Sequence, residues 1–376
     1  MPTIYLDNAA TTCIDMSVLE AMQPFWQTHY GNPSSVYSLG RQARAAVEKS
    51  RKTIAHCLQA SSSEIVFTSG GTESNNTVLW GAVRDLGVQR IITSELEHHC
   101  ILHTVEALSH NYSVQISYAR LLPNGHIDLA HLEKLLAEGN LTTLVSLMHG
   151  NNEIGNLLDL PTVATLCRRY NALFHTDTVQ TFGYYPLNVQ DIPIDFLSGS
   201  AHKLHGPKGT GFLYIKNGIG IKPYLYGGSQ ERQMRAGTEN VAGIVGLGKA
   251  AEIAHETMDT TREHLIFLKK YLVGRLRNTI SCVQFNGDSE QGAYKVLNIA
   301  FPPSPHNDLL LLNLDIAGIC ASGGSACSSG ADAGSHVLKA LAVEPDRTSI
   351  RFSFSKYTTQ AELDILMEKL LHILKI

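Results

Sequence analysis

The stretch SGSAHKLHGPKG, residues 198–209, organises the rest of the sequence. One lysine, Lys203, stands between small hydroxyl and imidazole residues on one side and a glycine-rich turn on the other. The apolar run 194–197 leads into it, so the lysine is expected at the end of a β-strand and not on a solvated helix face. A lysine held there, partly dehydrated, has a lowered pKa and can attack a carbonyl to form a Schiff base. The plain alternative is a surface lysine in a loop.

Outward from that run, strand candidates fall at 64–68, 90–93, 113–117, 142–148, 173–176, 194–197 and 211–215. Helical segments intervene near 73–86, 101–110, 129–138 and 160–170. This alternation predicts an α/β fold, a mostly parallel sheet with helices on both faces, whose ligands bind beyond the carboxyl ends of the strands. Upstream lie an extended arm over 1–13, a loop over 30–38 and a helix over 41–58 with one apolar face. Past about Ala242 the pattern changes: a long helical stretch, 243–276, leads to strands near 296–301 and 349–353. The last helix opens with Thr359 and Glu362 in capping-box spacing, followed by a stripe of Leu363, Leu366, Leu370, Leu371 and Leu374. The expected division is a large domain over 14–255 and a smaller α+β domain made of 1–13 with 256–376.

The 376 residues are 44% hydrophobic and 17% charged, with a formal net charge of −4, which gives no electrostatic reason to expect nucleic acid. No apolar run reaches membrane-spanning length, and MPTIYLDNAATT lacks the basic and apolar regions of a signal peptide, so a cytoplasmic location is expected. Seven scattered cysteines without a C-x-x-C pair suggest reduced thiols, six of them buried small hydrophobes. Cys327 differs. It lies in ASGGSACSSG, residues 321–330, a segment without bulk that reads as an accessible, mobile loop.

The strand 173–176 delivers Asp177 at its end, with Gln180 one turn later. A strand-end aspartate can keep a pyridine nitrogen protonated and make pyridoxal phosphate an electron sink; it can also merely cap a turn. Ser69-Gly70-Gly71-Thr72 precedes a helix and forms an anion site, to which Ser200 and His202 can add donors. A plain turn is the rival there. Glu97-His98-His99-Cys100 places an imidazole at a strand end, able to stack on a flat ring and move protons. A metal site from His98, His99, Cys100, His202 and His205 is the competing reading, but adjacent histidines chelate poorly and no metal-binding spacing accompanies them.

Together these segments resemble the cysteine desulfurases of the NifS/IscS group, within the class V aminotransferase family. The likeness runs nearly end to end: LDNAATT, GNPSS, FTSGGTESNN, LEHHCIL, NNEIG, HTDTVQ, SAHKLHGPKG, GGSQERQMRAGTEN, SGGSACSSG and SIRFSFS, in the family's order. The resemblance implies an aminotransferase-like (fold type I) architecture with a seven-stranded sheet, a homodimer, and pyridoxal 5'-phosphate on Lys203. It implies His98 over the ring, Asp177 at the pyridine nitrogen and Gln180 at the phenolic oxygen. Gly71, Thr72, Ser200 and His202 would hold the phosphate, with Thr238 reaching in from the other subunit. Asn152 and Arg351 would grip the carboxylate of L-cysteine. Cys327 would take the sulfur as a persulfide, leaving alanine, and pass it to an acceptor protein such as an iron–sulfur scaffold. Three departures stand out: Thr178 in place of a small residue behind the ring, Tyr37 for a histidine, and Gly150 for an apolar residue. The alternatives are selenocysteine cleavage or transamination on the same cofactor, a non-enzymatic sulfur-trafficking protein, and, more distantly, a metal-dependent hydrolase.

Overall fold

A computed structural model describes residues 3–305, 307, 309–323 and 334–375. In chain order its strands are β1 (Ile4–Tyr5), β2 (Ile65–Thr68), β3 (Arg90–Thr93), β4 (Gln115–Tyr118), β5 (Thr143–Ser146), β6 (Leu173–Asp177), β7 (Phe196–Ser200), β8 (Gly211–Ile215), β9 (Gln284–Asn286), β10 (Val296–Phe301), β11 (Ile319–Cys320) and β12 (Thr348–Ser353). Seven of them form the main sheet in the order β2-β8-β7-β6-β5-β3-β4. Only β8 runs antiparallel to its neighbours. β2, β3, β7 and β8 are buried along their whole length, because helices cover both faces; β4, at the edge, is the most exposed.

β7 is displaced from the expected 194–197. It starts at Phe196 and runs through Ser200, while Ile194 and Asp195 belong to the approach, where the Asp195 carboxylate accepts from the Phe174 amide at 2.9 Å. The small residues at its end have a packing reason. A Cβ on Gly199 would lie 2.2 Å from the Phe212 ring of the adjacent β8.

The expected helix over 243–276 is two helices, Val241–Glu256 and Met258–Thr279, separated at Thr257. Thr257 leaves the helical dihedrals, at φ −103° and ψ 10°, while its amide and its hydroxyl both donate to the Ile253 carbonyl, at 3.0 and 2.8 Å. The first helix packs against helix Ser38–Leu58 at Gly248, whose Cβ would lie 2.7 Å from Ser50. Beneath that crossing, Arg51 is buried and paired with Glu231 at 2.7 Å.

The C-terminal part builds a three-stranded antiparallel sheet, β12-β10-β9. The N-terminal arm joins it: β1 pairs with β11, and Asp7 bridges to Ser353. Helix Gln360–Leu374 carries the expected capping box, with Met367 buried in the stripe and Leu371 only partly so. Of the six cysteines outside the 321–330 motif, all free thiols, Cys167 is buried, Cys57, Cys100 and Cys320 are half-buried, and Cys13 and Cys282 are exposed, which corrects the expectation that all are buried.

Candidate active site

At the carboxyl ends of β6 and β7, facing the turn after β2, lies a cavity of about 270 Å³. Ten of the residues named from sequence line it: Lys203, His98, Asp177, Gln180, Gly71, Thr72, Ser200, His202, Asn152 and Arg351. Thr238 is exposed and outside this lining. Cys327 lies outside the described residues.

Lys203 ends the single helical turn Ala201–Lys203 that follows β7. Its Nζ donates to the carbonyls of Ala9 (2.7 Å) and Ala10 (2.6 Å), so the N-terminal arm forms part of the wall. Asp177 is the last residue of β6. One carboxylate oxygen accepts from the Val179 amide at 2.8 Å, the other from Asn75 Nδ2 at 2.7 Å. Sequence reading did not single out Asn75, yet it lies one helical turn beyond Gly71 and therefore on the same face, the signal that could have found it.

His98 caps helix His99–Tyr112, and its Nδ1 accepts from the Cys100 amide at 3.2 Å, with Cys100 Sγ at 3.0 Å. Burial holds this imidazole below the usual histidine range, against the opposite pull of Asp177. Because Nδ1 accepts a backbone N–H, the proton of the neutral ring belongs on Nε2. Burial pushes the Cys100 thiol up to about 12, keeping it protonated. His202, bonded through Nδ1 to Thr11 at 3.1 Å, is brought down to about 4 by burial and then by the charge of Lys203, and stays neutral.

Helix Gly71–Leu86 points its N-terminus at the cavity, presenting unpaired backbone N–H groups suited to an anion. The preceding Gly70 adopts φ 150° and ψ −176°, a region open essentially to glycine. Gly71 has no room for a side chain, since a Cβ would meet Val179 at 2.5 Å.

Arg351 is 1% exposed. Its guanidinium donates to Asp7 (2.6 Å), Ser322 (2.9 Å) and the Asn152 carbonyl (2.8 Å), while Nε has no partner among the described residues. Asn75 Oδ1 and Gln180 Oε1 are likewise buried and unpartnered. Three unsatisfied polar atoms from residues around one cavity mark a surface built to meet a polar ligand. Asp7 and His336 were also missed by sequence reading. His336 lines the cavity and lies 4.4 Å from the His99 ring, with its Nε2 2.9 Å from the Glu97 carbonyl.

Residues 4–366 match the sequence profile of the aminotransferase class-V family. The chain belongs to that family. It is similar to a protein named cysteine desulfurase IscS from Dictyoglomus turgidum, 43% identical over 99% of this chain and 94% of the relative. It is also 42% identical to the putative cysteine desulfurase IscS 1 of Bacillus subtilis, over 100% of this chain and 99% of the other. Among solved structures, a NifS-like protein superposes with a TM-score of 0.92 at 36% identity, covering 99% of both chains. A structure described as SspA in complex with cysteine gives 0.83 at 31% identity, covering 95% of this chain and all of the other.

Two of the departures from the class-V pattern have a structural account. Thr178 is turned away from the cavity: its hydroxyl donates to the Ser198 carbonyl at 2.8 Å, and Val179 is the residue in the wall. Gly150 is required because a Cβ there would lie 2.5 Å from Thr181. Tyr37 is exposed, just before helix Ser38–Leu58, and away from the cavity lining.

Proposed function

We propose that this chain is a pyridoxal 5'-phosphate-dependent cysteine desulfurase, converting L-cysteine to L-alanine with the sulfur left as a persulfide on Cys327. The observation that carries this reading is the meeting of Lys203 and Asp177 in one cavity whose walls hold unpartnered polar atoms. The donor set suits a phosphorylated pyridine aldehyde. The N-terminus of helix Gly71–Leu86, with Thr72, Ser200 and His202, would hold the phosphate. Asp177, oriented by Asn75, would face the ring nitrogen, Gln180 the ring oxygen, and His98 the ring face. When bound, such a cofactor supplies an electron sink for chemistry at Cα.

The residues then divide the work. Arg351 Nε, the guanidinium donor that Asp7 leaves free, binds the substrate carboxylate together with Asn152. The Lys203 amine takes the Cα proton, and His98 serves protons on the thiol side through Nε2. Cys327 attacks the substrate sulfur: an S–S bond forms, the C–S bond breaks, and the Cβ carbon takes a proton to become the methyl of alanine. In this reading the unit over 1–13 and 256–376 carries the Cys327 loop and the unit over 14–255 the cofactor. Thr238, exposed on its own chain, serves the phosphate site of the other subunit of a homodimer. The persulfide passes to an acceptor protein for iron–sulfur or other thio-cofactor synthesis. Free thiols at the six described cysteines, and no helix among the described residues long and apolar enough to cross a membrane, support work in the cytoplasm.

The test is one incubation of purified protein with L-cysteine and a reductant, following alanine and sulfide, beside Cys327→Ser. Equal amounts of both products from the native protein and neither from the variant are expected. Undiminished alanine from the variant would remove Cys327 from its role. No alanine from the native protein, while its visible spectrum still responds to other amino acids, would make it a lyase or aminotransferase of another substrate.

A further inference from the structure

A second groove, of about 520 Å³, is larger than the candidate active-site cavity. It runs along helix Met258–Thr279 and faces the turn 288–292. Arg262, Lys269, Lys270 and Arg277 line it from one face of that helix, spaced by seven or eight residues along the axis. Glu290 is the single carboxylate in the lining, paired with Arg277 at 3.3 Å between two exposed side chains. Among the described residues neither Arg262 nor Lys270 makes an ion pair, and both are exposed at the rim. Lys269 is 5% exposed, with Nζ held by the Ala293 carbonyl at 3.1 Å. Cations gathered along one low-dielectric wall repel each other when nothing lies between them.

The lining includes an aromatic pair. Tyr185 and Tyr294 stack with ring centroids 4.7 Å apart. The helix side is open at Gly274, where an added Cβ would meet nothing within 4 Å. Glycine in the middle of a helix is unfavourable for folding, so its presence at the groove calls for a reason other than helix stability. We propose that this groove is a binding site for a small organic anion with a flat aromatic or apolar body, its charge held by Arg262 and Lys270 and its body laid on the tyrosine pair. Arg262 and Lys270, about 12 Å apart along the helix, each suit a carboxylate, sulfonate or phosphate group, and a cavity of this size suits a ligand of nucleotide-like bulk. The groove backs onto the candidate active site: the Tyr294 hydroxyl donates to the Tyr184 carbonyl, and the Tyr184 hydroxyl donates to the Lys203 carbonyl at 3.1 Å.

The test is calorimetric titration with 8-anilinonaphthalene-1-sulfonate, a flat aromatic anion, into protein carrying one equivalent of pyridoxal phosphate. Three proteins are compared: native, Gly274→Trp to fill the groove, and Arg262→Glu with Lys270→Glu to reverse its charge. Gly274 is exposed and replaced by a better helix former, and thermal melts confirm that all three are folded. The native protein is expected to take up one equivalent that Gly274→Trp does not, and charge reversal to raise Kd by about tenfold or more. Equal uptake by native protein and Gly274→Trp, or no uptake by either, overturns the site. Uptake lost in Gly274→Trp but undiminished after charge reversal overturns its preference for anions.

Discussion

Lys295 is 1% exposed, and its Nζ has no hydrogen-bond partner among the described residues; it lies 3.8 Å above the Tyr184 ring. Burial, followed by the charges of Lys203 and Arg351, pulls its pKa well below that of an ordinary lysine. A base lowered in this way destabilises the fold while the unfolded chain can hold the proton; the penalty is full at low pH and fades as pH rises towards the unfolded value of 10.5. Lys295→Met is therefore expected to raise the free energy of unfolding at pH 7 by about 1–4 kcal/mol, read as a higher urea midpoint; that is the range found when buried ion pairs give way to apolar residues. The gain should shrink as pH approaches 10. A variant less stable than the native protein at pH 7 would show that the amine makes a favourable contact instead. At this scale the sequence was only partly legible. Lys203, Asp177 and His98 announce themselves through strand ends and neighbouring glycines. Asn75 and Asp7 matter through partners 102 and 344 residues away, Asp177 and Arg351, and no local pattern carries that information.

Among the elements, the last helix was legible because its start is a local device. Thr359 accepts from the Glu362 amide at 3.2 Å and Glu362 returns to the Thr359 amide at 2.7 Å. Thr359→Ala should lower the stability of the fold by about 1 kcal/mol, read as a shift in urea midpoint without a change in slope. No shift would mean that the buried leucines alone hold this helix. The parallel strands were legible for a similar reason, as short apolar runs between helices. The break at Thr257 was not, because the apolar pattern continues across it and the amides of Thr257 and Thr261 keep their i→i−4 bonds, so only the local dihedrals mark it. β9 was missed because three residues are too few to display a period.

For the molecule as a whole, buried imidazoles set the acid limit. His149 and His205 are brought down to about 4 and His175 to about 3, each chiefly by burial. Between pH 6.5 and about 4 the unfolded chain binds protons that the fold refuses, so stability falls as pH drops through that window and is unaffected by these groups above it. Each contributes a slope approaching about 1.4 kcal/mol per pH unit. Glu97 acts in the opposite sense. Burial raises its carboxyl to about 8, so the fold holds a proton that the unfolded chain has lost. Three histidines outweigh one glutamate, and urea midpoints should decline from pH 7 to 6 to 5. A flat series would show that water reaches these rings.

The N-terminal arm has a consequence in time. Residues 4–12 find their partners at Ile319 and Cys320, at Arg351 and Ser353, and at Lys203. At about 5–20 residues per second, the ribosome needs roughly 15–70 s to travel from the arm to its last partner. In the later part of that interval, once β8 has emerged, the seven-stranded sheet is complete and the arm can meet Gln180 and Lys203, but its partners on β11 and β12 are still missing. The cavity is thus closed from both ends of the polypeptide, and a nascent chain halted before residue 348 would expose the wall on which Lys203 rests.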